Sequence, residues 1–402
     1  ELFETMAAEH NLTFDWDGYQ AEMEQHGIAS GGGQKIELFK HDPLEAIKKA
    51  MHGSQFLGYE TLEVEGAKVI GIIAGGKLCD KADDTDPDRP ITVVLDKTPF
   101  YGEMGGQVGD RGELTAKGLR FEVTDARVDG HFTLHMGHLR EGELQLGTLV
   151  TARVDTNRRH GIQRAHSATH LLHHALRKLL GQHAEQQGSK VDQDILRFDF
   201  TNPKAVGRDE LTRIEQEVNA RILEGAAVAA VNMPLADARK SGATMLFGEK
   251  YPDVVRVVSM GGYSKELCGG THLTNTGQVG LFRIVGEESV SAGTRRITAL
   301  TGEAAMERVR RDETLLRELS AALKVPADEL PHRVEAMAEE IRRLKKQAAG
   351  GAKAEQTDVA GLIAGAEPMG DVKLIIQEIA GATPDTLRDL IDKIRRKTSP
   401  VA

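Results

Sequence analysis

Asn157-Arg158-Arg159-His160-Gly161-Ile162-Gln163-Arg164-Ala165-His166-Ser167-Ala168-Thr169-His170-Leu171-Leu172-His173-His174-Ala175-Leu176-Arg177-Lys178-Leu179-Leu180 divides this chain of 402 residues into two kinds of sequence. Asn157 can cap a helix here, and Gly181 can end it after about Leu180. His166 and His170 are four apart, so their imidazoles share one helix face, one turn apart. Two histidines at that spacing can grip one metal ion. Before this helix the sequence reads as β, and after it as mixed helix and strand.

Upstream, residues 55–155 carry short β-branched runs: Val69–Ile73, Ile91–Leu95 and Leu149–Val154. Gly, Asp and Pro separate them, which predicts a small barrel. Residues 1–26 have Leu2, Met6, Trp16, Tyr19 and Met23 at roughly helical spacing, and Gly31-Gly32-Gly33 breaks that helix. Downstream, a helix over about Arg208–Leu223 and strands at Val254–Val258 and Leu281–Val285 predict an α+β domain. From Glu303 the pattern is helical and charged. Met306, Val309, Leu316 and Leu323 mark one helix, and Pro326 and Pro331 a turn. Val334, Met337, Ile341, Leu344 and Ala348 then step by three and four, as a coiled-coil seam does. The expectation is a helical hairpin or coiled coil, then a small-residue linker over Ala348–Ala354. A strand at Val372–Ile376 and a helix at Pro384–Lys397 cannot close a core alone and read as a domain cut short. The acidic start without Met reads as the middle of a longer chain.

Composition narrows the class. With 40% hydrophobic residues and no run near the roughly 18 apolar residues of a membrane helix, the chain reads as globular. Cys79 and Cys268 are its only two cysteines, which suits a reducing cytosol. A net charge of −10 argues weakly against nucleic acid. The basic residues are clustered, however, at Arg153–Arg164, Arg342–Lys346 and Lys393–Lys397. Each run is either a solvated helix face or a phosphate-binding patch.

About a hundred residues after the histidine pair comes Cys268-Gly269-Gly270-Thr271-His272. The glycines let the backbone curl, so Cys268 and His272 could meet His166 and His170 around one ion. Three imidazoles and a thiolate suit tetrahedral Zn2+ and argue against Mg2+ or Ca2+. A zinc-protease helix would have Glu after its first His, where this chain has Ser167. His173 and His174 read as surface, core or secondary metal-supporting residues. His131, His135 and His138 read as structural. Tyr101–Asp110, the segment densest in glycine, is either a tight turn or a loop approaching a ligand, and it lacks the pattern of a nucleotide-phosphate loop.

Taken together, Arg164–His173, Gly188-Ser189-Lys190-Val191, Leu196–Phe200 and Glu266–His272 resemble the editing domain of the alanyl-tRNA synthetase family. Thr98–Glu103 through Gly109-Asp110, Phe247–Tyr251 and Gly293–Ile297 also fit it. Met104 departs from the small residue usual beside Glu103, and Thr201-Asn202 from a Ser-His pair. The resemblance implies a helical tail of the aminoacylation module over 1–30 and a translation-protein-like β-barrel over 31–155. It further implies the α+β editing domain over 156–301, a helical hairpin or coiled coil over 302–350, and the truncated start of a C-terminal α/β domain over 351–402. The implied activity is cytoplasmic: hydrolysis of tRNA(Ala) mischarged with Ser or Gly, at a zinc held by His166, His170, Cys268 and His272, without aminoacylation. Thr169 is the expected partner of the serine hydroxyl, and Gln186 and Glu103 the expected water-positioning groups. Arg164, Lys190, Arg295 and Arg296 are the expected tRNA contacts. A homodimer through the C-terminal region is expected. The alternative is a non-catalytic tRNA-binding and dimerisation module with a structural zinc.

Overall fold

In the barrel expected upstream, six strands close on themselves. They are β1 (Glu63–Ala74), β2 (Ile91–Leu95), β3 (Gly112–Ala116), β4 (Leu119–Asp129), β5 (Phe132–Glu141) and β6 (Leu149–Val154). The ring runs β6-β3-β4-β5-β2-β1 and returns to β6, with every neighbour antiparallel. Closure removes exposed sheet edges. Val69, Ile72, Val93, Leu95, Leu114, Phe121 and Val150 fill the interior. Strand β2, Ile91-Thr92-Val93-Val94-Leu95, is buried throughout. Its outward Val94 is covered by Leu44 and Ile47, at helix α1 (Glu45–Ala50), and that is why its apolar run does not alternate. This computed structural model describes residues 44–245, 251–355, 358–379, 382 and 384–398. The expected N-terminal helix, the Gly31–Gly33 break and the stretch Phe247–Lys250 lie outside them.

Helix α2 spans Thr156–Leu179. Its cap is Asp155 rather than Asn157. The Asp155 carboxylate accepts from the Arg158 N–H at 3.0 Å, while Asn157 already lies within the helix. Gly181, at φ 120°, follows the helix as expected. Around α2 are α3 (Arg208–Glu224) and two antiparallel sheets. One contains β7 (Gln186–Asp192), β8 (Ile195–Thr201), β12 (Phe282–Ser291) and β13 (Thr294–Thr301), in the order β7-β8-β13-β12. The other is β9 (Val228–Pro234), β10 (Val254–Met260) and β11 (Ser264–Leu267), in chain order. Ile162, Ala165, Leu172, Phe198, Ile214, Val258 and Ile297 form the shared core. The mixed helix-and-sheet architecture agrees with the reading of the sequence.

The chain divides into two compact units between Met306 and Glu307. Helix α4 (Gly302–Leu323) crosses that point, and α5 (Leu330–Glu355) lies in the second unit. The stretch Ala348–Ala354, expected as a linker, is the last part of α5. Its alanines favour helix strongly enough to carry the chain through Gly350-Gly351. Val334, Met337, Ile341 and Leu344 are all exposed along α5. Of the last expected pair, helix α6 spans Pro384–Lys397 as read, while the strand is limited to Val372–Leu374.

Candidate metal centre

His166, His170, Cys268 and His272 converge: their candidate ligand atoms all lie within 4.8 Å of one another. The i,i+4 spacing stacks the His166 and His170 rings, with centroids 5.6 Å apart and planes within 7°. The loop after β11 brings Cys268 Sγ to 3.4 Å from His166 Nε2 and 3.3 Å from His272 Nε2. Gly270 makes this approach possible. A Cβ there would lie 2.0 Å from His166 Cε1.

Each histidine has its other ring nitrogen held. Gln107 Oε1 lies 2.7 Å from His166 Nδ1 and accepts the Thr271 N–H at 2.9 Å, while Gln107 Nε2 donates to Thr271 Oγ1 at 3.0 Å. Oε1 is therefore an acceptor and His166 Nδ1 carries the hydrogen. Glu266 Oε2 lies 2.8 Å from His170 Nδ1. Ser167 Oγ lies 3.4 Å from His272 Nδ1. This pattern leaves the Nε2 atoms for a metal, as carboxylate and amide partners do in metalloprotein sites. The His170 Nε2 is buried without a partner. The donor set and this unpartnered nitrogen both fit a metal ion.

The electrostatics agree. Burial pushes the Cys268 thiol up, but the His166 and His272 imidazoles override it and hold it far below its ordinary value, as a thiolate. Burial also pushes the Glu266 carboxyl up, and His170 with His173 overrides that, keeping it well below the usual carboxylate range. Burial drives His272 down to about 3. At His170 burial acts downward too, yet Glu266 and Cys268 raise it to about 10. Thiolate and carboxylate outnumber the single His170 imidazolium, so the cluster stays net negative, and a divalent cation would supply the missing charge.

The barrel side and β10 together brace the ligand loop. The Tyr59 hydroxyl donates to Gly269 O, and Arg256 donates to Cys268 O at 3.0 Å and Gly270 O at 2.8 Å. The Arg256 guanidinium lies 4.2 Å over the Tyr59 ring, within cation–π range. Arg159, fully buried, joins α2 to the barrel through Asp110, Gly58 O at 2.8 Å and Pro99 O at 2.9 Å.

Beside the cluster lies a cavity of about 390 Å³, lined in part by Met104, Thr169, His173, Gln186 and Ser189. The Thr169 hydroxyl donates to Ala165 O at 2.9 Å, so towards the cavity it can only accept. Gln186 Nε2 donates to Ser189 Oγ at 3.1 Å. Glu103 is exposed and is not among the lining residues. Its loop contributes Gln107 instead, which the sequence reading passed over, although it marked the loop as one that could approach a ligand.

Three of the four expected tRNA contacts are already engaged. Arg164 pairs with Asp194 at 2.6 and 2.9 Å, Arg295 with Glu287 at 2.6 and 2.7 Å, and Arg296 with Asp199 at 2.7 and 2.8 Å. Each pair is bidentate, so the guanidinium fork is taken up within the fold. Lys190 differs: it is exposed on β7, opposite exposed Arg197 of β8. Glu266, Tyr59 and Arg256 had no separate signal in the sequence.

Two family models match the chain. One, described as tRNA synthetases class II (A), covers residues 1–158. The other, threonyl and alanyl tRNA synthetase second additional domain, covers residues 255–298, which include Cys268 and His272. Among curated proteins, the alanine–tRNA ligase of Rhodopirellula baltica is 43% identical, over 99% of this chain and 50% of that protein. The alanine–tRNA ligase of Halorhodospira halophila is 43% identical and that of Acetivibrio thermocellus 41%, each over 99% of this chain and 45% of the relative.

Proposed function

Because the chain belongs to the alanyl-tRNA synthetase family and spans about half the length of the curated relatives it matches, we propose that it carries the editing activity of such an enzyme. The substrates are tRNA(Ala) mischarged with Ser or Gly, the ion is zinc, and the compartment is the cytoplasm. The observation that carries this reading is the His166–His170–Cys268–His272 cluster at the edge of the cavity.

Physics explains why such a site is wanted. A synthetase pocket gains only about 1–3 kcal/mol from one methylene, the general situation of aminoacyl-tRNA synthetases facing small side chains. Gly and Ser therefore escape a pocket built for Ala. Ser is larger than Ala, so an editing site must reward its hydroxyl rather than exclude by size. Thr169 Oγ1, its hydrogen committed to Ala165 O, can accept the serine O–H. Alanine offers nothing in return. Gln186 lines the same cavity and is the remaining water-positioning candidate.

His166, His170, Cys268 and His272 would hold the zinc, which supplies Lewis acidity and ties the loop to α2. Gln107, Glu266 and Ser167 orient the ligands. The reacting ester is already labile, so placing ester and water together supplies much of the rate. Lys190 and Arg197 would meet tRNA phosphate, and the exposed Val334, Met337, Ile341 and Leu344 face of α5 is where a homodimer would form.

Four protein ligands also suit a structural ion, which favours a second reading, a tRNA-binding and dimerisation module without catalysis. Release of serine from Ser-tRNA(Ala) by the wild-type chain and by Cys268→Ala separates the two. The deacylase reading expects the wild type to be at least about 100-fold faster. Equal slow release by both proteins sinks it.

A further inference from the structure

His173 is the third imidazole on the metal-bearing face of α2, three residues beyond His170. It lies outside the four-residue cluster. It is 2% exposed, and its Nδ1 lies 3.0 Å from Glu266 Oε1. A carboxylate oxygen accepts, so Nδ1 carries the hydrogen, and in the neutral ring Nε2 is the acceptor. That Nε2 is buried and has no partner, while the residue lines the cavity beside the metal centre.

An unmet buried acceptor costs stability, and a native site that keeps one is a site where a donor arrives. The donor's chemistry can be read from the surroundings. Thr169 is also an acceptor toward this cavity, its hydrogen being committed to the helix. Cys268 stands at the same wall. A group rich in N–H or O–H fits there. An aminoacyl ester brings an α-ammonium, and a seryl ester adds a hydroxyl.

We propose that His173 Nε2 accepts a hydrogen bond from the aminoacyl group and so holds it against the metal centre. This rests on the deacylase reading for its substrate. Glu266 thus serves two imidazoles: His170, one of the four candidate ligands, and His173, in the wall of the cavity.

Two variants of the full chain test this. In His173→Asn the side-chain amide can still donate to Glu266 but cannot reach the place of Nε2. In His173→Gln the amide oxygen can stand where Nε2 stood. The expectation for Asn is a loss of about 10- to 100-fold in kcat/KM with metal content retained, and for Gln a partial recovery. Equal losses on Ser-tRNA(Ala) and Gly-tRNA(Ala) identify the α-ammonium as the donor, and a loss confined to Ser identifies the hydroxyl. Either result supports the proposal. Binding of 3′-seryl-amino-3′-deoxyadenosine, an uncleavable amide, reads the same contact without catalysis. Its Kd should rise by a similar factor in the Asn variant. Wild-type kinetics and binding in the Asn variant overturn the proposal, as does loss of metal together with rate, which makes His173 structural. A wild type that binds the amide through His173 but releases no amino acid sinks the deacylase reading and keeps this contact. A wild type that neither binds nor hydrolyses sinks both.

Discussion

Gln107 Oε1 lies 2.7 Å from His166 Nδ1, so a loop of the β-barrel sets the tautomer of a helix residue in the neighbouring domain. The same oxygen accepts from the Thr271 backbone, which belongs to the loop carrying Cys268 and His272. One fully buried amide thus aligns both halves of the candidate metal site.

Gln107→Leu should weaken zinc binding by about 10- to 100-fold, the range typical when an orienting partner of a metal ligand is removed. Gln107→Glu keeps both acceptor bonds, and the Thr271 hydroxyl can turn to donate, so affinity should stay within a few-fold of wild type. Chelator competition on the purified chain measures both. Equal affinities for Leu and wild type would show that the amide does not orient His166.

Gly270→Ala should abolish tight metal binding, because the added methyl lands on the His166 ring. Gly262→Ala, in a turn where a Cβ meets nothing, is the matched control. Cobalt substitution gives the readout. The visible absorption of a tetrahedral thiolate–imidazole site should be lost in the first variant and kept in the second.

His135 is buried in the barrel with both nitrogens satisfied, Nδ1 donating to Val93 O at 2.9 Å and Nε2 accepting from Thr98 Oγ1 at 2.7 Å. Burial lowers its pKa to about 4, against a partial upward pull from the Val93 carbonyl. A folded-state pKa below the unfolded value of about 6.5 means the neutral form is favoured by folding. The stabilisation is complete above pH ~6.5 and is lost as pH falls toward 4, amounting to about 3 kcal/mol at most. Denaturant midpoints of wild type and His135→Gln should therefore converge between those pH values. Parallel curves would remove His135 from the acid sensitivity of the fold.

Lys190→Ala should lower tRNA affinity and reduce the slope of log K against log salt by about one ion. Arg164→Ala and Arg296→Ala should leave that slope unchanged, since Asp194 and Asp199 already hold those guanidinium groups. A slope change for the paired arginines, with none for Lys190, would reverse the assignment.

These pairings show what a sequence can and cannot disclose. The convergence of His166, His170, Cys268 and His272 was legible because helix periodicity fixes His166 against His170, and two glycines announce the curl between Cys268 and His272. The barrel was legible from short β-branched runs between turn residues. The capping of α2 was misjudged by two positions because Asp155 and Asn157 offer equivalent oxygens, and only backbone geometry chooses between them. Partnerships such as Arg296 with Asp199, or Gln107 with His166, span long stretches of chain and are made by strand register and domain packing. No local spacing encodes them, so neither the ion pairs of the basic residues nor the role of Gln107 beside His166 is visible in the sequence. The linker expected at Ala348–Ala354 failed for a different reason: alanine propensity outweighed two glycines.

The buried Arg159 has a consequence for how this architecture can be inherited. Its guanidinium is rooted in α2 but satisfied entirely by Asp110 and two carbonyls of the barrel side. Severing the chain at residue 155 would strand a bare cation on one fragment and, on the other, an aspartate left with the Tyr101 N–H in place of its ion pair. The barrel and the helix that follows it therefore travel as one cassette. A recombination event or an engineered graft that moves the histidine helix must carry the barrel along or replace both charges together.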